Sequence, residues 1–205
     1  IDTAPKHLID AFLAAEDKNF YDHVGIDFVG ILRAVFANIV NVASGRRLEG
    51  ASTITQQVAK NFLLSSDVTL ERKLKEAVLA LRLERTFAKE QLLELYLNEI
   101  YLGLGSYGVA AAALNYFDKP LNDLTVAEAA YLAALPKAPN NYHPFRKRAR
   151  AISRRNWVIG RMRENGYITD MQARAAAAQD LVVVDRPASL RRFNAEYFVE
   201  EVRRE

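Results

Sequence analysis

The chain has 205 residues, of which 50% are hydrophobic and 26% are charged, and this composition excludes an intrinsically disordered protein. Its 28 basic and 25 acidic side chains leave a net charge of +3, which is too small to define a class of partner. The sequence contains no cysteine, so disulfides and thiolate metal sites are excluded, and its three histidines are too far apart to form a local metal motif.

The predicted secondary structure is helical almost throughout, because apolar residues recur at intervals of three and four and clean alternation is nearly absent. We therefore predict a mainly α fold. No stretch reaches the roughly 20 apolar residues that a spanning helix needs, and the first residues, IDTAPKHL, lack the pattern of a signal peptide. We expect any membrane anchor to lie outside these residues.

The first predicted helix ends in two acidic residues, Glu16 and Asp17. The negative end of the helix dipole disfavours each carboxylate there by a few tenths to about 1 kcal/mol. A solvated acidic helix end is one interpretation. His23 and Gly25 follow in a predicted tight loop, so residues 16–25 gather two acids, an amide, an imidazole and aromatic rings. Such a cluster also suits a carboxylate held beside a cleft.

The segment 28–43, FVGILRAVFANIVNVA, is apolar on more than one helical face. Two interpretations remain open for it. It is either a buried core helix or a lobe that dips into a membrane, in which case it lies in the interface and does not span the bilayer.

Residues 50–61, GASTITQQVAKN, are rich in hydroxyl and amide groups, which match the hydrogen-bonding groups of sugars. Thr53 and Gln56 have the spacing of a capping box, so this pair is also explained by the start of a helix. The cap does not account for Gln57, Lys60 and Asn61, whose spacing places them along one helical stripe.

The central predicted helix carries Arg72 and Glu76 one turn apart, with Lys73 beside them. Leucines on both sides of this helix predict that protein encloses it, so we expect the ion pair at the wall of a cleft. An exposed ion pair would contribute less than about 1 kcal/mol to folding stability and would indicate little about function. Two cationic side chains beside a carboxylate suit a phosphate-bearing ligand, because they are able to bind its oxygens.

The densest basic segment is residues 145–165. An arginine-rich helix is compatible with nucleic acid binding, but no other nucleic-acid signature is present and acidic residues elsewhere nearly cancel the charge. We therefore expect no nucleic acid partner. A solvated helix face and a face near anionic lipid headgroups are the two interpretations that we keep.

Five motifs together resemble those of one protein family, in the family's order. They are EDKNFYDHVG (16–25), GASTITQQVAKN (50–61), RKLKE (72–76), ELYLNEIYLG (94–103), and AALPKAP (133–139) with RRN (154–156). The chain resembles, over about residues 5 to 170, the glycosyltransferase domain of class A penicillin-binding proteins, which monofunctional peptidoglycan glycosyltransferases share. One such motif would be weak, whereas five in order are very hard to obtain by chance.

The resemblance implies a lysozyme-like helical lobe with a smaller hydrophobic, membrane-associated jaw at about residues 26–50. It also implies a glycosyltransferase domain over residues 1–180, and it makes 181–205 the start of a linker towards a penicillin-sensitive transpeptidase domain that these residues do not include. The expected location is the extracytoplasmic, periplasmic face of a bacterial cell membrane.

The implied reaction is the polymerisation of lipid II into β-1,4 glycan strands, by inverting transfer with undecaprenyl pyrophosphate as the leaving group. Glu16 matches the family's catalytic base, and Glu76 matches a second glutamate near the leaving group. The cations that match a role in neutralising the pyrophosphate are Lys60, Arg72, Lys73 and Lys137. The positions that match the sugar and phosphate groove are Ser52, Gln57, Asn61, Asn98 and Tyr101.

The resemblance implies no organic cofactor and no protein metal site, although a divalent cation, Mg²⁺ or Mn²⁺, would be able to assist the pyrophosphate. The implied partners are lipid II, the growing glycan strand, the membrane surface, moenomycin-type inhibitors and cell-wall synthesis proteins.

Two other functions are compatible with parts of the sequence. A lysozyme-like enzyme that cleaves glycan would use a lone glutamate as general acid, but it gives no role to four bases or to a lipid-facing lobe. An inactive cell-wall binding module would be expected to lack one of the acids, yet Glu16 and Glu76 are both present.

Overall fold

The computed structural model describes residues 4–43, 52–62 and 69–184. Its α-helices are α1 (Lys6–Glu16), α2 (Phe28–Ala43), α3 (Ile54–Phe62), α4 (Leu70–Thr86), α5 (Lys89–Glu99), α6 (Val109–Phe117), α7 (Val126–Ala134), α8 (Arg148–Glu164) and α9 (Asp170–Ala178). Within the described ranges the only β pairing is an isolated antiparallel bridge between Tyr101 and Tyr107. The predicted mainly α fold is confirmed.

The chain divides into two compact units. The first unit combines Ile1–Ala15 with Leu97–Glu205, and the second unit is the continuous stretch Glu16–Tyr96. Helices α1 and α5 each cross from one unit to the other. The predicted end of the domain at residue 180 stays a prediction, and most of the predicted linker, residues 185–205, lies outside the described residues.

The core of the first unit is built around α7, which packs against α6 and α8. Thr125 and Glu128 close a capping box at its start, and the alanines that follow are almost completely buried. Small side chains let neighbouring helices approach closely. The Tyr131 ring meets that of Tyr116 edge to face at 5.6 Å, and its hydroxyl donates a hydrogen bond to the carbonyl of Tyr142 at 2.9 Å. Burial raises the pKa of the Tyr131 phenol, so it stays protonated.

Arginines of helix α8 bind the backbone at the end of α9 and just beyond it. Arg155 is completely buried, and its guanidinium donates to the carbonyls of Ala177 at 3.0 Å and Gln179 at 2.6 Å. It thereby satisfies two of the carbonyls that the end of a helix leaves without backbone partners. Further along, Arg148 donates to the carbonyl of Leu181, and the Val184 amide donates to the carbonyl of Tyr116 at 2.8 Å. We call these four contacts the Arg155 clasp.

Helix α2, in the second unit, exposes its apolar side chains. Only Gly30 and Ala34 are buried among residues 28–39, whose side chains the structure describes. The exposed apolar residues of this face are Phe28, Val29, Ile31, Leu32, Val35, Phe36 and Ile39. The interpretation as a buried core helix is therefore wrong for this part of α2. Across the described ranges, none of the helices combines the length and the apolar character that a membrane crossing requires.

Helix α4 also presents an apolar stripe to solvent. Leu70, Leu74 and Val78, spaced four residues apart, are 86%, 69% and 51% exposed, whereas Glu76 and Ala80 are buried. Helix α3 packs against α4. The prediction that protein encloses α4 on both sides is wrong, because a leucine period reports an apolar face and not what covers it.

Candidate active site

Glu16 is the last residue of α1 and the first residue of the second unit. Its carboxylate accepts a hydrogen bond from the side-chain amide of Gln57, on α3, at 2.8 Å. Glu16 is partly exposed, and an amide donor orients a carboxylate without neutralising its charge. The arrangement thus places an oriented carboxylate at the end of α1, and a general base needs its carboxylate in a fixed position.

Asp17 anchors the residues that surround Glu16. It is only 6% exposed, and its carboxylate accepts from His23 Nε2 at 2.9 Å and from the backbone amide of Ile54 at 2.9 Å. Ile54 is the first residue of α3, so Asp17 satisfies an amide that the helix leaves without an internal partner. The interpretation as a solvated acidic helix end is therefore wrong for Asp17.

His23 links Asp17 to the loop that follows it through both nitrogens of its ring. Its Nδ1 accepts from the Gly25 amide at 3.1 Å, and Nε2 therefore carries the hydrogen that is donated to Asp17; this tautomer is assigned from the hydrogen bonds. Gly25 has φ of +96°, and a Cβ there would lie 2.9 Å from the carbonyl oxygen of Ala80. The loop therefore requires glycine at position 25, both for its dihedral angle and for its close approach to α4.

The predicted capping box at the start of α3 is confirmed. The Thr53 amide donates to Gln56 Oε1 at 3.0 Å, and the Gln56 amide donates to Thr53 Oγ1 at 3.1 Å. The Thr53 hydroxyl also donates to the carbonyl of Gly25 at 2.7 Å. Both side chains are buried, so they shape the helix start, whereas Lys60 and Asn61 on the same helix are exposed.

A cluster of charges surrounds Glu76 on α4. Glu76 is 2% exposed, and it forms the predicted ion pair with Arg72 and a second pair with Lys73 at 2.9 Å. The Lys73 ammonium also donates to Ser52 Oγ at 3.0 Å. Thr69 caps α4 by accepting from the Arg72 amide. The capped first turn therefore fixes the backbone positions of Arg72 and Lys73. We call Lys60, Arg72, Lys73 and Glu76 the cation cluster.

Positive charge is in excess in the cation cluster. Burial, followed by the positive charges of Arg72 and Lys60, lowers the pKa of Lys73 below the ordinary lysine value. Three cations therefore act around one carboxylate. Such an imbalance is relieved when an anion binds, so the cluster suits a ligand that carries phosphate.

One short segment joins the two parts of the site. Ser52 contacts Lys73 of the cation cluster, and five residues later Gln57 contacts Glu16. The structure thereby brings Glu16, Ser52, Gln57 and the cation cluster together in the second unit.

Three predicted site residues, Asn98, Tyr101 and Lys137, belong to the first unit. All three are exposed, and the Tyr101 ring lies 5.0 Å from that of Tyr107. The backbone directly after Tyr107 approaches α5 closely, since a Cβ at Gly108 would lie 2.4 Å from the carbonyl oxygen of Asn98. The roles of these three residues in the groove stay predictions.

Two contacts in the second unit are not predictable from the sequence motifs. The hydrogen bond that the Ile54 amide donates to Asp17 spans 37 positions, and no local pattern predicts it. Glu84 and Lys89 form an ion pair across the break between α4 and α5, where the helical spacing of three or four residues does not apply.

The second unit thus combines an oriented carboxylate with a separate cluster of cations in a helical fold. The chain matches the family described as Transglycosylase over residues 1–163. It belongs to this family, which confirms the enzyme class and the resemblance to the glycosyltransferase domain of class A penicillin-binding proteins.

The chain is also similar to longer proteins. It is 54% identical over 205 residues to penicillin-binding protein 1A of Rickettsia felis, covering 100% of this chain and 26% of that protein. The same protein of Aquifex aeolicus is 51% identical, with 99% of this chain and 27% of the relative covered. A crystal structure of penicillin-binding protein 1A from Haemophilus influenzae superposes with a TM-score of 0.53 and 28% identity, covering 100% of this chain and 20% of that one. The chain thus spans about a quarter of the length of the curated relatives.

Proposed function

We propose that this domain polymerises lipid II into β-1,4 glycan strands. Glu16 takes the proton from the 4-hydroxyl of the acceptor's N-acetylglucosamine as that oxygen attacks the donor's anomeric carbon. The bond from this carbon to the pyrophosphate oxygen breaks, and the electron pair leaves with undecaprenyl pyrophosphate. Attack from the opposite side converts the α-linked donor into a β-1,4 product without a covalent glycosyl-enzyme. The hydrogen bond from Gln57 to Glu16 is the observation that carries this assignment.

In this proposal the cation cluster binds the pyrophosphate. A leaving group of this kind needs little protonation when its growing charge is neutralised. Arg72 and Lys73 already share one buried carboxylate, so their positions are fixed before the ligand arrives. Lys60 and Lys137 are the further cations that we assign to the phosphates. The groove residues that we assign to the substrate are Ser52, Gln57, Asn61, Asn98 and Tyr101.

We assign the exposed apolar face of α2 to the membrane surface, as the jaw on the extracytoplasmic side of a bacterial membrane. A soluble monomer rarely exposes so many large apolar residues on one helix. A helix with such a face lies in the bilayer interface, where the lipid tail of the substrate also lies. The apolar stripe of α4, formed by Leu70, Leu74 and Val78, is compatible with the same contact.

Replacing Phe36 and Ile39 together by serine is expected to weaken binding to lipid vesicles by about tenfold or more, because each side chain contributes about 1.5–3 kcal/mol when fully buried in an apolar phase. Co-sedimentation with vesicles measures the effect. Met171→Ser in the first unit is the control, since Met171 is an apolar residue on another helix and is 73% exposed, against 63% for Phe36 and for Ile39. Unchanged binding by the double variant would remove α2 from the membrane contact.

The lowered pKa of Lys73 predicts an alkaline limit to the reaction. A lysine carries its charge only below its pKa, so Lys73 becomes neutral at a lower pH than an ordinary lysine does. We expect kcat/KM, which reports the free enzyme, to decline in that range, and we expect Lys73→Arg to move the decline to higher pH. Rates at several pH values measure this. If kcat/KM declines over the same alkaline pH range in the wild type and in Lys73→Arg, the assignment of Lys73 to the phosphates is contradicted.

We also propose that a divalent cation, Mg²⁺ or Mn²⁺, assists the pyrophosphate. In the ranges that the structure describes, no group of three or more His, Cys, Asp or Glu side chains is placed to hold a metal ion. A bound cation would therefore take most of its ligands from phosphate oxygens, as Mg²⁺ commonly does. Moenomycin-type inhibitors, cell-wall synthesis proteins and a linked transpeptidase domain are the remaining proposed partners.

One assay distinguishes polymerisation from glycan cleavage. The protein is incubated with lipid II and, separately, with finished glycan strands, each with and without added divalent cation. We expect polymer from lipid II and no loss of finished glycan. Cleaved glycan without polymer would replace the proposed function by that of a lytic enzyme, and no reaction with either would favour a binding module.

A further inference from the structure

The loop that follows Glu16 is fastened by an ion pair that lies outside all five sequence motifs. Lys89, the first residue of α5, places its ammonium 2.7 Å from Glu84 Oε1 near the end of α4. The two side chains are only 18% and 7% exposed. Exposed pairs contribute little to stability, whereas removal of one partner of a buried pair is strongly destabilising because the other charge stays buried.

Lys89 binds the loop directly. Its ammonium donates to the carbonyl of His23 at 2.6 Å and lies 4.5 Å from the centroid of the Phe20 ring. The first contact is a charge-assisted hydrogen bond and the second is a cation–π interaction. One ammonium therefore holds the loop at two points, both a few residues after Glu16.

Glu84 binds α3. The Oε1 atom that pairs with Lys89 also accepts from the Thr55 hydroxyl at 2.6 Å. Thr55 is buried and lies two residues before Gln57, whose amide contacts Glu16. The ion pair thus connects the loop that extends from Glu16 with the helix that carries the hydrogen-bond donor to Glu16.

We infer that Lys89 and Glu84 form a positioning pair that keeps the Glu16 carboxylate and the Gln57 amide aligned. The inference rests on the proposed function of Glu16 as the base. The pair acts through the His23 carbonyl and the Thr55 hydroxyl, not through the substrate. A displacement of about 1 Å in a reacting group is able to lower the rate on the order of 100-fold. The pair should therefore affect kcat much more than KM.

The kinetic test replaces Lys89 by methionine, which keeps an unbranched side chain one heavy atom shorter and removes the charge. We expect kcat with lipid II to fall about 10- to 100-fold while KM changes less than about threefold, and we expect Lys89→Arg to recover most of the rate. Lys119→Met is the matched control, because Lys119 pairs with a partly buried glutamate, Glu128, at 2.8 Å in the first unit. Wild-type kcat in Lys89→Met, or a change confined to KM, would overturn the inference.

A second measurement does not depend on activity. Hydrogen exchange of the Gln57 side-chain amide, followed by NMR, should become at least about tenfold faster in Lys89→Met if its bond to Glu16 is loosened. Glu84→Gln, whose amide oxygen still accepts from Thr55, gives the same comparison if the first variant does not fold. Unchanged exchange in a folded variant would overturn the positioning role alone. A wild-type protein that makes no polymer would overturn the proposed function. The exchange measurement would still decide whether Lys89 and Glu84 align Gln57 with Glu16.

Discussion

Replacing Glu16 by glutamine is expected to lower the rate of polymerisation at least about 100-fold, the low end for loss of a positioned general base. Glutamine has the size of glutamate and still offers an oxygen to the Gln57 amide, so this hydrogen bond is retained. It is unable to take a proton from the acceptor hydroxyl. The loss should therefore appear in kcat, measured with lipid II at saturating concentration.

The matched control for this variant is Asp10→Asn. Asp10 is a buried acid on the same helix, and it pairs with Lys6 at 2.7 Å. We expect Asp10→Asn to polymerise at nearly the wild-type rate, and both variants to give the helical circular dichroism spectrum of the wild type. Polymerisation by Glu16→Gln at a similar rate would rule out Glu16 as the base.

The second large effect is expected for Glu76→Gln, which removes the one carboxylate of the cation cluster. Arg72 and Lys73 would then repel each other without the anion that fixes them, and the donors for the pyrophosphate would lose their alignment. Loss of one donor that stabilises a developing negative charge commonly costs 10²- to 10³-fold in kcat, and we expect a loss of about 100-fold. Single-turnover kinetics with lipid II measures it.

Glu71→Gln is the control on the same helix. Glu71 pairs with Lys75 at 2.6 Å, but both side chains are largely exposed, so loss of this charge should leave the rate unchanged. Equal losses of rate in Glu76→Gln and Glu71→Gln would show that the rate depends on the total charge of α4 and not on the position of Glu76. A normal rate in Glu76→Gln would remove Glu76 from the site.

Local patterns in the sequence predicted the features that depend on neighbouring residues. The capping box of Thr53 and Gln56 and the pair of Arg72 and Glu76 both follow from spacing along one helix, and the structure contains both. Helical periodicity predicted the mainly α fold for the same reason, since it reports the position of side chains around a single axis.

Features that depend on the approach of distant segments were not predictable from these patterns. Asp17 has the same sequence context as Glu16, yet it is buried because the start of α3 supplies an amide from far along the chain. Leu74 has the spacing of a buried leucine stripe, yet its side chain is 69% exposed. Whether an apolar face is covered depends on which element packs there, and the period of one helix does not contain that information.

The Arg155 clasp determines how the first unit would bear a mechanical load. A pull on the backbone beyond Val184 would first reach the Val184 bond to Tyr116 and the Arg148 bond to Leu181, and then the buried guanidinium of Arg155. The tension would pass into α6 and α8 before it reached the last turn of α9, so that turn would not unwind first.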